Sequence, residues 1–140
     1  ERAVIFHERI DAANTILKLL QQRGHRATIY HAAIGPDARR DNLRLFRKGL
    51  FDVLVCCRAL DEGINVPEAS IAVIASSTAS HRQRIQRLGR ILRKAKGKDT
   101  ASVYTLFATE EERKRLAAEA KNLEGITSAS WRQGRSERNA

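Results

Sequence analysis

The chain has 140 residues, of which 42% are apolar, enough to bury a core of its own, and its distinct hydrophobic periods exclude a disordered chain. Its 26 Lys and Arg against 16 Asp and Glu leave a formal charge of +10 and a pI near 10.4. That balance points to phosphate-rich partners, nucleic acid or nucleotide, over the plainer reading of a generic basic surface. No apolar run approaches membrane-spanning length and no secretory segment is present, so no membrane partner and an intracellular setting (cytoplasm or nucleoid, or nucleus) are expected.

In chain order, Ala3 to His7 (AVIFH) is a short β-rich apolar run, predicted as a buried strand. From Ile10 to Arg23, the residues Ile10, Ala13, Ile16, Leu17 and Leu20 recur at helical spacing, and Gly24 closes that helix. Ala27 to His31 (ATIYH) is a second predicted strand. Gly35-Pro36-Asp37 then starts a helix through about Lys48, with Leu43 and Phe46 inward and Gly49 at its end. Asp52 to Cys57, Ile71 to Ala75 and Ser102 to Phe107 are three further strands, and a charged helix is predicted from about Glu110 to Leu123.

The two cysteines, Cys56 and Cys57, are neighbours in a strand and so point to opposite faces, which argues against a disulfide between them. They read as reduced, buried residues of an intracellular protein. Neither they nor the four histidines have metal-ligand spacing, so no metal site is expected in this chain. The absence of any methionine leads us to expect a fragment of a longer product. The polar stretch after Gly125, with Trp131 and three arginines but no clear period, is expected to be a basic tail or linker over 125–140, leaving 1–124 as the folded unit.

Between the fourth and fifth strands lies Ser80 to Lys98, SHRQRIQRLGRILRKAKGK, with eight Lys and Arg residues and no acid. Ser80 with Gln83 suggests a capping box. At helical spacing, Ile85, Leu88, Ile91 and Leu92 share an apolar arc, and Arg87, Arg90 and Arg93 fall on the other side. A helix is expected here, anchored by its apolar arc and offering guanidiniums to a polyanion; the plainer alternative is a solvated helix face.

Strands apolar on both faces, alternating with amphipathic helices, predict an α/β fold: a parallel sheet of about five to six strands with helices on both faces. In such sheets ligands bind beyond the carboxyl ends of the strands. That rule brings His7-Glu8, His31-Ala32, Arg58 to Asn65 and Ser76 to His81 to one working edge.

The run Leu60-Asp61-Glu62-Gly63-Ile64-Asn65-Val66-Pro67, then a strand, then Gln86-Arg87-Leu88-Gly89-Arg90-Ile91-Leu92-Arg93 resembles the C-terminal RecA-like domain of superfamily 2 helicases. The last segment is similar to their motif VI, D-E-G-I-N-V-P to motif V, and Val4-Ile5-Phe6 with His7 to motif IV. Within the superfamily the chain looks most like the xeroderma-pigmentosum group B type of DNA helicase and its prokaryotic relatives, and Gly35 to Lys48 is similar to their helix before motif V. It departs from the DEAD-box branch at Gln86, where those proteins carry His, and at Cys57-Arg58, where they carry Thr-Asp.

The resemblance implies a RecA-like lobe that contributes half of an ATPase site. It implies arginine fingers at Arg90 and Arg93, with Gly63, Asn65, Gln86 and Arg87 near ATP and Arg87 tied to Asp61 or Glu62. ATP and Mg²⁺ would be held mainly by an N-terminal RecA-like lobe of the same protein, since this chain has no G-x-x-x-x-G-K-[ST] stretch. The resemblance also implies contacts to nucleic acid, with DNA expected, at His7, Glu8, Arg9, His31, Arg58, Ser76 and Ser77. Read from the residues alone, a histidine at a strand end is as well a hydrogen-bonded structural residue, and a non-catalytic nucleic-acid-binding module or an RNA helicase lobe remain alternatives.

Overall fold

The computed structural model describes residues 2–57, 66, 69–75, 102–106 and 109–121. Five strands, β1 (Ala3–His7), β2 (Ala27–Tyr30), β3 (Val53–Cys57), β4 (Ile71–Ile74) and β5 (Ser102–Thr105), form one sheet in the order β2-β3-β1-β4-β5. Every pairing is parallel, with Ala3 beside both Val53 and Ile71, Ala27 beside Val53, and Ile71 beside Ser102. Helices α1 (Ile10–Gln22) and α2 (Pro36–Arg47) make the first two crossovers, and α3 (Glu110–Lys121) follows β5. The five predicted strands and the predicted helices that became α1, α2 and α3 are present, with bounds within one or two residues, while the helix expected over Ser80 to Lys98 lies outside the described residues.

Period-two alternation divides the core between the two faces. On one face, Val4, Phe6, Leu54, Cys56, Ala72 and Ile74 pack with Phe46 and Leu43 of α2. On the other, Ile29, Val55 and Cys57 pack with Ala13, Ile16, Leu17 and Leu20 of α1. Cys56 and Cys57 therefore serve opposite faces, both buried and not joined to each other, as strand geometry requires. Phe46 is fully buried, worth about 1.5–3 kcal/mol of transfer free energy. Ile10 departs from the expected inward stripe: at the very start of α1 it is 37% exposed, because the helix has not yet reached cover over the sheet.

β2 is an edge strand among the described residues, and its outward carbonyls lack a strand partner. Side-chain amides from both helices take that place, Gln21 donating to Ala27 O at 3.4 Å and Asn42 to Ile29 O at 2.9 Å. At the amino edge of the sheet, Arg2 donates to Phe46 O and Arg47 O, both at 3.0 Å. Its cation thus closes the carbonyl end of α2, where the helix dipole is negative.

A candidate nucleic-acid-facing edge

The strand order puts β1 in the centre, and the chain leaves it toward β2, whereas it leaves β4 in the opposite direction toward β5. The crevice beyond the carboxyl ends of β1 and β4 is therefore a topological switch point, where open parallel sheets bind ligands. His7, Glu8 and Arg9 follow β1 directly, and His31 follows β2 two strands away.

His7 is half-buried, and its Nδ1 accepts the Arg9 backbone N–H at 3.0 Å. A neutral ring accepting at Nδ1 carries its proton on Nε2. That Nε2–H has no partner among the described residues. Arg9 is exposed and pairs through Nε and Nη2 with both oxygens of Asp11, at 3.1 and 2.6 Å. The hydrogen bonds from Arg9 first, then from the Ala12 N–H, hold the Asp11 carboxyl below its usual range. Cys57, at the end of β3, donates its thiol to Glu8 O at 3.1 Å and so binds this turn to the sheet.

His31 repeats the arrangement in a buried setting. β2 ends at Tyr30, one residue earlier than expected, because His31 turns out of the strand to cap a 3-10 turn, Ala32–Ile34. Its Nδ1 accepts the Ala33 N–H at 3.2 Å, and its Nε2 meets Asn14 Oδ1 of α1 at 2.9 Å. With Nδ1 accepting, Nε2 is the donor. The residue is 3% exposed, and burial lowers the basicity of its ring, opposed only by its backbone hydrogen bond. Both nitrogens are occupied, so the ring offers no free polar atom at the edge. Gly35 follows with φ +83° and ψ 162°, a conformation that disfavours any side chain, and lets Pro36 open α2.

His7, Glu8, Arg9 and His31 thus lie along one edge. Arg58, Gly63, Asn65, Ser76, Ser77, Gln86, Arg87, Arg90 and Arg93, with the whole basic stretch Ser80 to Lys98, lie outside the described residues. Asn14 and the 3-10 turn were not singled out in the sequence; the one signal was that β1 and β2 both end in an apolar run closed by His. Among the described residues no three His, Cys, Asp or Glu come together to hold a metal, and no helix is long and apolar enough to cross a membrane.

An all-parallel sheet with helices on both faces and a polar carboxyl edge defines a RecA-like α/β domain, and solved structures agree. The C-terminal domain of the DEAD-box protein Dbp5 superposes with a TM-score of 0.73 at 24% identity, over 90% of this chain and 72% of that one. The family described as "Helicase conserved C-terminal domain" matches residues 1–95, and the chain belongs to that family of superfamily 2 helicase domains. Two relatives show its span. The DNA 3'-5' translocase XPB2 of Sulfurisphaera tokodaii is 45% identical over 58 residues, 41% of this chain and 13% of the relative. The DEAD-box ATP-dependent RNA helicase 22 of Oryza sativa subsp. japonica is 33% identical over 104 residues, 74% of this chain and 18% of the relative. The chain therefore spans less than a fifth of the length of either relative.

Proposed function

We propose that the chain is the C-terminal motor lobe of an ATP-dependent helicase or translocase that acts on DNA. The observation that carries this reading is the ordered series of strand-end motifs ending in Gln86 to Arg93, within a chain of the helicase C-terminal family. ATP, with Mg²⁺, supplies the phosphoryl group that passes to water. Such a transfer is driven by positioning and charge neutralisation. Arg90 and Arg93, three positions apart in the sequence, neutralise charge on the γ-phosphate across the interface with an N-terminal lobe. An arginine finger is worth about 10³ to 10⁵ in rate. Gly63 permits close backbone approach to the nucleotide, Asn65 and Gln86 face it, and Arg87 ties motif VI to motif V. Because this chain has no phosphate-cradling P-loop, it does not hydrolyse ATP by itself.

On the strand side, His7 donates from Nε2 and Arg9 from its exposed guanidinium to backbone phosphates, beside Arg58, Ser76 and Ser77. The geometry of His7 supports this role, since its tautomer leaves a donor without a partner among the described residues. Contacts of this kind are independent of sequence and weaken with salt, as a moving enzyme requires. His31 contributes the turn it caps. The Gln86 and Cys57-Arg58 departures speak against the DEAD-box RNA helicase branch and do not settle DNA against RNA.

In the full-length protein, Arg93→Ala should abolish nucleic-acid-stimulated ATP hydrolysis and leave ATP affinity much less changed; unaltered turnover would remove Arg93 from the finger role. Matched DNA and RNA strands compared as stimulators decide the substrate. The alternative is a non-catalytic nucleic-acid-binding module that keeps the RecA-like shape. That alternative gains if a full-length sequence lacks both a P-loop and a D-E-x-H-like acid motif upstream of Glu1.

A further inference from the structure

Asn14 belongs to none of the helicase motifs, yet it joins α1 to the turn after β2. The chemistry at His31 shows why that matters. The Ala33 N–H needs an acceptor, and an imidazole nitrogen accepts only when it carries no proton. The neutral ring must then hold its proton on Nε2, in a place where His31 is 3% exposed. A donor so enclosed is costly without a partner, and Asn14 Oδ1, 2.9 Å away, supplies one. With the proton on Nδ1 instead, ring N–H and Ala33 N–H would oppose each other, donor to donor.

We propose that Asn14 is a positioning residue for strand binding. By accepting from Nε2 it holds His31 in the tautomer that keeps the Ala32–Ile34 turn, and with it the Gly35–Pro36 entry into α2, at the carboxyl edge. This role rests on the edge being the nucleic-acid face. Among the described residues, the ionisable groups on the surrounding elements include Asp11 and Lys18 on α1, His7, Glu8 and Arg9 at the end of β1 and after it, Tyr30 on β2, Cys57 on β3, and Asp37, Arg39 and Arg40 at the start of α2. Burial, rather than a charge among them, is the main cause of the lowered basicity of the ring.

Asn14 is itself exposed, so Asn14→Asp and Asn14→Ala should both fold. In the full-length protein labelled with ¹⁵N-histidine, long-range ¹H–¹⁵N spectra should report the Nε2–H tautomer of His31 for the wild type at pH 7.5. Asn14→Asp puts a carboxylate against Nε2 and favours the doubly protonated ring. His31 should then protonate at higher pH than in the wild type, and the Ala33 amide should exchange faster as Nδ1 ceases to accept. Affinity for a fluorescein-labelled DNA strand should fall several-fold against wild type at pH 6.5, with the gap closing by pH 8.5. Asn14→Ala should show mixed tautomers and a several-fold loss at every pH. An unchanged tautomer and Ala33 protection in Asn14→Ala would overturn the proposal, as would a ring that responds as described while affinity tracks wild type throughout. Failure of the wild-type protein to bind DNA or RNA strands would instead strike the functional reading, and this role with it.

Discussion

β1 reads AVIFH, and β2 with the residue after it reads ATIYH; in both runs the His Nδ1 accepts the backbone N–H two residues on, from Arg9 at 3.0 Å and from Ala33 at 3.2 Å. The two turns differ in what covers them. At His7 the ring is half-buried and its Nε2 is without a partner among the described residues. At His31 the ring is buried and its Nε2 is held by Asn14. One local motif thus yields a residue that, among the described residues, has a donor to spare and a residue with none. The same amino acid at equivalent strand ends is suited to contact in one place and to support in the other. The difference comes from α1, whose Asn14 reaches the end of β2.

The largest expected effect separates the two positions by stability. His31→Ala leaves a cavity, an unsatisfied Ala33 N–H and a displaced Asn14, and should cost about 2–4 kcal/mol in urea denaturation of the full-length protein. His7→Ala removes one surface hydrogen bond and should cost about 0.5–1 kcal/mol, while weakening strand binding. Equal losses at the two sites would break the comparison.

A pH titration of stability sharpens it. The His31 ring is less basic folded than its ordinary value of 6.5, so the unfolded chain binds the proton more readily. Its contribution is present in full above pH 6.5 and is lost as the pH falls through the lowered folded value. His31→Gln should remove that part of the acid-side slope, read from denaturation midpoints between pH 5 and 8.

Cys57→Ala tests how the exposed turn is tied down. It deletes a buried sulfur and the thiol donor to Glu8 O, and should cost about 1–2 kcal/mol in thermal unfolding. Strand affinity should fall with it if the His7 turn loosens. The smallest effect is expected at Asp11→Asn, where an exposed ion pair is lost. Stability should barely move, and freeing Arg9 should raise strand affinity slightly at low salt. A fall in affinity would show that Asp11 orients Arg9 rather than competing for it.

Most of the fold was legible in the sequence. The 3.6-residue recurrence of Ala13, Ile16, Leu17 and Leu20 placed α1 on the sheet, and Gly35-Pro36-Asp37 placed the start of α2. The adjacency of Cys56 and Cys57 was enough to send them to opposite faces. The Ala32–Ile34 turn was not legible, because Ala-Ala-Ile has no polar side chain to signal a cap and its acceptor is an imidazole. Ile10 read as a core residue because spacing shows which side of a helix is apolar but not where along the sheet its cover begins.

The sequence alone therefore determined the element types, their alternation and the edge where polar residues gather, since these depend on local periodicity and on the rule for parallel sheets. Only the tertiary structure decided the order β2-β3-β1-β4-β5 and the unlike settings of His7 and His31. The physical reason is range. A tautomer is chosen by whatever reaches the second nitrogen, and for His31 that group lies 17 residues away on another element.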